Sequence, residues 1–264
     1  MKREPRKRTG RRDVKRRAVQ EAPKPVVEGS EASVEEEKAP APKVPVKKSK
    51  EADPFLDEIY VKKRIDMDLD HRKYVGPKDK FEVVGKHQFE VMIESGLKAS
   101  SSLLDIGCGA MRGGKFFLEF LDEGNYCGID PNKALLRKGL FAEVEEEVAR
   151  SKKPSFKHND NFNLSIFDRE FDFIVAQAIF AHAAEDQIVA CLKSAHDVLA
   201  PGGKFVFNYF LGESDYAGKE WVYPCCTKYT ELKMLEFVRK AGFDIESNVF
   251  KHPVGLVWIV ARKQ

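Results

Sequence analysis

The sequence predicts an α/β domain built on a doubly wound, predominantly parallel β-sheet, and it does so through three features. The apolar run Leu103-Leu104-Asp105-Ile106 ends in Gly107-Cys108-Gly109, with Gly113-Gly114 close behind. Asp130 closes a second apolar run, Tyr126 to Asp130, about twenty residues downstream. Strand-like and helix-like patterns then alternate to the end of the chain. A strand, a tight glycine turn, a helix and a second strand tipped by a carboxylate form a unit that can cradle a nucleoside-bearing ligand and hold its ribose hydroxyls.

The elements can be justified in order. Phe55, Ile59 and Tyr60 suggest a short amphipathic lead-in. Phe81, Val84, His87, Phe89, Met92 and Ile93 recur at helical spacing over 79–96 before Gly96. Residues 102–106 make the first strand, and Arg112 to Leu121 the helix after it, with Phe116, Phe117, Phe120 and Leu121 as its packing stripe. After the second strand, Pro131 sits where a helix can begin without losing a needed N–H. That helix carries Leu135, Leu136 and Leu140 and then runs into charged, solvated sequence through Arg150. A weak third strand lies near Ser155 to Asn159. The fourth, Phe171 to Ala176, is apolar enough to be covered on both faces.

Ile188, Cys191, Leu192, Ala195, Val198 and Leu199 define the buried face of a helix around 186–199, which Pro201-Gly202-Gly203 is expected to stop before a strand over Lys204 to Phe210. Leu232, Leu235, Phe237 and Val238 mark a last helix, ended near Gly242. The final strand patterns, Phe243 to Phe250 and Gly255 to Arg262, are separated by little more than His252-Pro253-Val254, so they must pair antiparallel.

The first 53 residues differ in kind. They hold sixteen Lys or Arg, ten Asp or Glu, six prolines and no aromatic residue, too little apolar surface to offset ordering the backbone. They are expected to be a disordered charged tail on a domain spanning 54–264. The chain carries a net charge of +3, yet the remaining 211 residues hold 29 basic and 32 acidic side chains, so the basic excess belongs to the tail. Residues 1–20, with ten basic and two acidic residues, suit a nucleic acid or another anionic partner, or a solubilising extension. No stretch is long and apolar enough for a transmembrane segment, and no early stretch resembles a signal peptide. Five cysteines at spacings unlike a zinc site fit reduced thiols in a cytoplasmic setting; no metal is expected, and oligomeric state is not encoded in these patterns.

Over roughly 79–264 the chain resembles the class I S-adenosylmethionine-dependent methyltransferases. The likeness is carried by Leu104-Asp105-Ile106-Gly107-Cys108-Gly109, Gly128-Ile129-Asp130, Phe171-Asp172-Phe173-Ile174-Val175 and Leu199-Ala200-Pro201-Gly202-Gly203-Lys204. A dinucleotide-binding domain fits less well, because Arg112 stands where the pyrophosphate fingerprint has its third glycine. The resemblance implies a seven-stranded sheet ordered 3-2-1-4-5-7-6 with strand 7 antiparallel, and S-adenosyl-L-methionine as cofactor. The family often has another glycine near position 111, where this chain has Met111.

For the cofactor, the resemblance implies roles for Gly107, Cys108 and Gly109 in the backbone turn and for Asp105 in bracing that turn or facing the ammonium. Asp130 would hold the ribose, or else cap the next helix. Asp160, or failing that Asn161, would meet the adenine, unless both serve a solvated turn. Arg112 would meet the carboxylate or point outward with Lys115. Gln177, opening the segment after the fourth strand, is a further cofactor-binding candidate, and His182 in that segment is either a general base that meets the acceptor or a structural histidine. Asn208, Tyr209, Trp221 and Tyr223 are candidates for the acceptor pocket, with plain packing of the insertion as the alternative.

The expected reaction is methyl transfer to oxygen or nitrogen of a small metabolite or saccharide-containing acceptor. One alternative is an RNA or protein methyltransferase that captures its partner with the tail. Another is a non-enzymatic scaffold.

Overall fold

The computed structural model describes residues 53–246 and 250–264. The expectations for the tail, including a partner for residues 1–20, fall outside them.

Asp53 caps the short helix α1 (Pro54–Leu56) by accepting from the Phe55 and Leu56 amides, and a π-type turn follows over Asp57–Val61. Leu56 and Ile59 are buried, and the Tyr60 hydroxyl lies 2.9 and 3.0 Å from the Leu140 and Val144 carbonyls. The chain then crosses the domain as a strap with two 3-10 turns, His71–Tyr74 and Lys78–Lys80. Glu143, its side chain 3% exposed, ties this strap down by accepting from Arg72 and Lys115 and bonding the His71 ring.

The remaining elements are α2 (Phe81–Glu94), β1 (Leu103–Ile106), α3 (Gly114–Phe120), β2 (Tyr126–Ile129), α4 (Lys133–Glu143), α5 (Glu146–Lys152), β3 (Ser155–Lys157), β4 (Phe171–Ala176), α6 (Glu185–Val198), β5 (Leu199–Tyr209), α7 (Glu231–Lys240), β6 (Phe243–Glu246) and β7 (Val257–Lys263). The seven strands found among the described residues form one sheet, ordered β3-β2-β1-β4-β5-β7-β6. β7 runs antiparallel to both neighbours, while the other pairs are parallel. Alternate strand residues feed two cores, as the two-residue period of a strand requires. Leu104, Ile106, Ile174, Phe205 and Phe207 pack with Ile188, Leu192 and Phe237 of α6 and α7. Leu103, Phe173, Val175 and Val206 pack with Met92, Phe117 and Leu136 of α2, α3 and α4.

Four local expectations are corrected. Asn132, not a residue at Pro131, caps α4 by accepting from Leu135 N–H, so that helix starts at Lys133. The helix after the glycine turn begins at Gly114, two residues beyond Arg112. The charged run after Glu143 is the separate helix α5: acidic Glu146 and Glu147 begin it, Arg150 and Lys152 end it, an arrangement that favours the helix dipole, and Ala149 anchors it in the core. Pro201-Gly202-Gly203 lies inside β5, which starts at Leu199; the register against β4 shifts between Phe171 and Phe173, and Gly202 at φ +77° absorbs the irregularity.

Helix packing positions the glycine turn. At Gly139 a Cβ would come within 2.5–2.7 Å of the Ala110 backbone, so α4 rests directly on the turn. Gly85 brings α2 equally close to the Arg112 carbonyl. Replacing Gly139 with Val is therefore expected to lower the unfolding free energy by about 3 kcal/mol, the upper range for overpacking, read as a reduced denaturant midpoint at unchanged slope.

Candidate active site

Parallel strands leave a crevice beyond their carboxyl ends where the strand order reverses, between β1 and β4. A cavity of about 990 Å³ lies there, lined from the glycine turn to the ends of β4 and β5 and roofed by strap residues 73–77. That volume is at the upper end for a small-molecule site, enough for two ligands side by side.

The turn itself is held by β2. Gly107 N–H donates to the Ile129 carbonyl at 2.7 Å, and Gly109 N–H to Asp130 Oδ2 at 3.0 Å. Gly107 and Gly109 have φ of +72° and +45°, and a Cβ at Gly107 would run into Ile179. Met111 also takes a positive φ, 59°, where family members often carry glycine, and its side chain is fully buried in the core instead. Asp130 is thus the brace of the turn, a role expected of Asp105. Its other oxygen accepts from Asn132 N–H at 2.7 Å. Burial raises the Asp130 pKa, and these two backbone donors oppose the rise.

Asp105 is bonded elsewhere, accepting from the Tyr126 hydroxyl at 2.9 Å. Burial pushes its carboxyl up to about 7, and the neighbouring Asp130 adds to the rise, while the Tyr126 bond and Arg112 act against it. Arg112 lies turned inward, not outward with Lys115. One guanidinium nitrogen donates to the Val75 carbonyl, and Nε is a buried polar atom with no partner among the described residues. Lys115 pairs instead with Glu82 and Glu143.

An orphaned guanidinium N–H, a glycine cradle and a carboxylate at the second strand tip fit a ligand that has an acid group at one end and a ribose beyond it. Cys108 lines the same end with its thiol pKa raised by burial. Asp160 lines the cavity after β3, whereas Asn161 faces solvent and accepts from Asn163 N–H, the local turn that was its alternative.

Beyond β4, His182 Nδ1 lies 2.7 Å from the Cys225 carbonyl. A carbonyl only accepts, so the proton sits on Nδ1 and the neutral ring keeps an unshared pair on Nε2. Nε2 has no partner among the described residues, and the ring lines the cavity. Burial lowers the His182 pKa, which the carbonyl bond partly offsets. The insertion after β5 is sewn to this segment: Val222 N–H donates to the His182 carbonyl at 3.0 Å and Thr227 N–H to the Ala181 carbonyl at 2.7 Å. Trp221 and Tyr223 stand in the cavity wall, 5.6 and 5.1 Å from the His182 ring between centroids.

Two expected acceptor residues do not reach the cavity. Asn208 is fully buried, its oxygen accepting from Ala178 N–H at 2.7 Å and its nitrogen donating to Gln177 Oε1 at 2.8 Å; Tyr209 is packed in the core. The strand ends at Tyr209, one residue earlier than expected, and Phe210 just beyond it lines the cavity. Gln177 lines it too, its amide nitrogen 3.1 Å from His252 Nε2. Val254 N–H donates to the other ring nitrogen of His252, so donors face both sides of the ring. Burial, with His87 and Arg112 nearby, drives its pKa down to about 4. His252 and the strap residues Tyr74 and Val75 were not read from sequence, because nothing local marks them.

Residues 104–205 match the family of methyltransferase domains. From β1 into β5 the chain is therefore similar to a methyltransferase domain, on the sheet order described above. An uncharacterized methyltransferase of Schizosaccharomyces pombe is 29% identical over 110 residues, 40% of this chain and 39% of that protein. A sterol 24-C-methyltransferase of Aspergillus fumigatus is 26% identical over 136 residues, 51% of this chain and 34% of the relative. These matches thus span about two-fifths or less of either relative. Among solved structures, the magnesium protoporphyrin IX methyltransferase of Synechocystis with bound S-adenosylhomocysteine aligns at TM-score 0.54 and 14% identity, covering 73% of this chain and 92% of that one. The glycopeptide N-methyltransferase MtfA aligns at 0.54 and 15%, covering 68% and 90%. At such identity the structures establish the shared fold. No helix among the described residues is long and apolar enough to cross a membrane.

Proposed function

We propose that this protein transfers a methyl group from S-adenosyl-L-methionine to an oxygen or nitrogen of a small-molecule or saccharide-containing acceptor. The observation that carries the reading is one cavity lined by the glycine turn, Asp130, Arg112 with its unpartnered Nε, and His182, whose Nδ1 is held by the Cys225 carbonyl. Bound S-adenosylmethionine supplies an electrophilic methyl on a sulfonium leaving group.

In this reading Asp130 accepts from the ribose hydroxyls with the lone pairs its two backbone bonds leave free. The glycine turn, with Cys108, borders the methionyl arm, Arg112 Nε donates to its carboxylate, and Asp105 faces its ammonium. Asp160 meets the adenine end. Gln177 helps fix the segment after β4, and His182 takes the acceptor proton where the acceptor has one to lose. The rest of the protein's contribution is alignment and exclusion of water. The five unpaired cysteines agree with a reducing, cytoplasmic setting.

The direct test is isothermal titration with S-adenosylhomocysteine, followed by a labelled-methyl assay on fractionated metabolites. An intact, folded protein that binds neither the donor nor its demethylated product would remove the reading.

Asp105 makes a pH prediction. At pH 6 its carboxyl is mostly protonated, and the ligand's ammonium requires it ionised, so binding must first expel a proton. Above about pH 7 the group is already ionised and that penalty disappears. The affinity for S-adenosylhomocysteine is therefore expected to weaken as pH falls below about 7, by up to about tenfold per unit. Asp105→Asn should flatten that dependence, as titrations across pH 5.5–8.5 would reveal.

A further inference from the structure

The charged side chains that line the cavity come early in the chain: Asp105 within β1, Asp130 and Asp160 after β2 and β3, and Lys73 and Arg112. From Gln177 onward no Asp, Glu, Lys or Arg among the described residues lines it. Lys73, on the strap, is largely exposed and 3.5 Å from Asp70. An ammonium or carboxylate seated beside His182 would lose water and gain no ionic partner, a large penalty. A sugar, each of whose buried hydroxyls needs a partner, meets few polar side chains along this stretch: His182, Gln187, and Gln177. Gln177 is already committed through both its amide atoms to Asn208 and His252.

What the residues from Gln177 onward mostly offer is aromatic and aliphatic surface: Phe210, Trp221, Tyr223, Pro224 and Leu256, with Ile179 against the glycine turn. Trp221 and Tyr223 are 40% and 41% exposed, an unusual amount of uncovered ring surface for a cavity wall. They are nonetheless held in place, since Val222 between them is bonded to the His182 carbonyl and the Tyr223 hydroxyl lies 3.4 Å from the Tyr74 carbonyl. Resting on the methyl-transfer reading above, we propose that the acceptor is an uncharged, ring-bearing compound of the phenol class, its ring against Trp221, Tyr223 and Pro224 and its hydroxyl at His182 Nε2.

Base strength separates phenols from alcohols. A phenol ionises near pH 10, roughly four decades above an imidazole, whereas a hydroxyl like that of water lies roughly nine decades above it. In the transfer step the phenol O–H gives its proton to His182 Nε2 while an oxygen lone pair forms the new O–CH₃ bond. The S–CH₃ bond breaks with its electron pair staying on sulfur, converting the sulfonium to a thioether. The imidazolium then returns its proton to water.

The test uses the full chain and begins with calorimetric affinity for S-adenosylhomocysteine, whose absence would overturn the underlying methyl-transfer reading and this proposal with it. Given that affinity, labelled-methyl transfer is compared for 2-naphthol, 2-naphthylmethylamine, 2-naphthoic acid and methyl glucoside. The expected result is O-methylation of 2-naphthol with kcat/KM at least about tenfold above the charged and saccharide probes. Trp221→Ala should raise KM for 2-naphthol about tenfold with kcat nearly unchanged and cofactor affinity intact; Tyr223→Leu supplies the same reading if the first variant is unstable. Transfer to the amine, acid or glucoside as fast as to 2-naphthol, or none to 2-naphthol, with the cofactor product still bound, would overturn the proposal and leave the methyl-transfer reading standing.

Discussion

Replacing His182 with Gln is expected to reduce kcat for a hydroxyl acceptor by about 10²–10³-fold while affinity for S-adenosylhomocysteine stays within about twofold. The separation follows from position. His182 is fixed through Nδ1 by the Cys225 carbonyl and packs beside Trp221 and Tyr223, with no bond to Asp130 or Arg112, so the substitution removes a lone pair without breaking a contact of those two residues. Glutamine keeps a donor for the carbonyl, which preserves the local path of the insertion. The pH profile gives a second readout. A base works in its neutral form, and burial holds the His182 pKa below the usual histidine value. The wild-type kcat should therefore rise with pH through an apparent pKa below 6.5 and be level near neutrality, and the Gln variant should lose that rise. A variant with wild-type kcat across pH would show that the acceptor needs no base here.

Asp130→Ala is expected to weaken S-adenosylhomocysteine binding by about 30- to 100-fold, equivalent to about 2–3 kcal/mol. Two effects combine. The ribose loses a charge-assisted acceptor, and the Gly109 and Asn132 amides lose the carboxylate that holds them at 3.0 and 2.7 Å. Because the Gly109 bond also shapes the turn, Asp130→Asn should recover part of the affinity: its single oxygen can hold Gly109 but not both amides. Calorimetry on the two soluble variants reads the difference, and equal affinity for wild type and Ala would show that ribose is held elsewhere.

Sequence periodicity was enough for the succession of elements, because the physical signals are local, while the strand order was an expectation from the family resemblance. A strand covered on both faces must be mostly apolar, as Phe171–Ala176 is apart from the exposed Asp172, and a hairpin with so short a connection must be antiparallel, as β6 and β7 are. The boundaries that moved were decided by capping groups and register. Asn132 outcompetes Pro131 as the start of α4 because its side chain can accept from Leu135 N–H, and Leu199–Gly203 joins β5 because β4 offers it a neighbour. Asn208 and Tyr209 were read as facing the acceptor because they end a strand near the site. Both faces of the sheet are covered, so Tyr209 packs into the core on one face while Ala178 N–H and Gln177 hold Asn208 on the other.

By itself the sequence determined the order of elements, the glycine turn, the carboxylate at the second strand tip and a histidine after the fourth strand, since each is written within one short segment. Only the tertiary structure decided that Asp130 and not Asp105 braces the turn, that Arg112 points inward with an unpaired Nε, and that the Cys225 carbonyl leaves His182 Nε2 free. Those outcomes depend on contacts between residues 21 to 43 positions apart. Hydrogen-bond partners at such separations are chosen by how helices and strap pack on the sheet, which no local pattern of residues specifies.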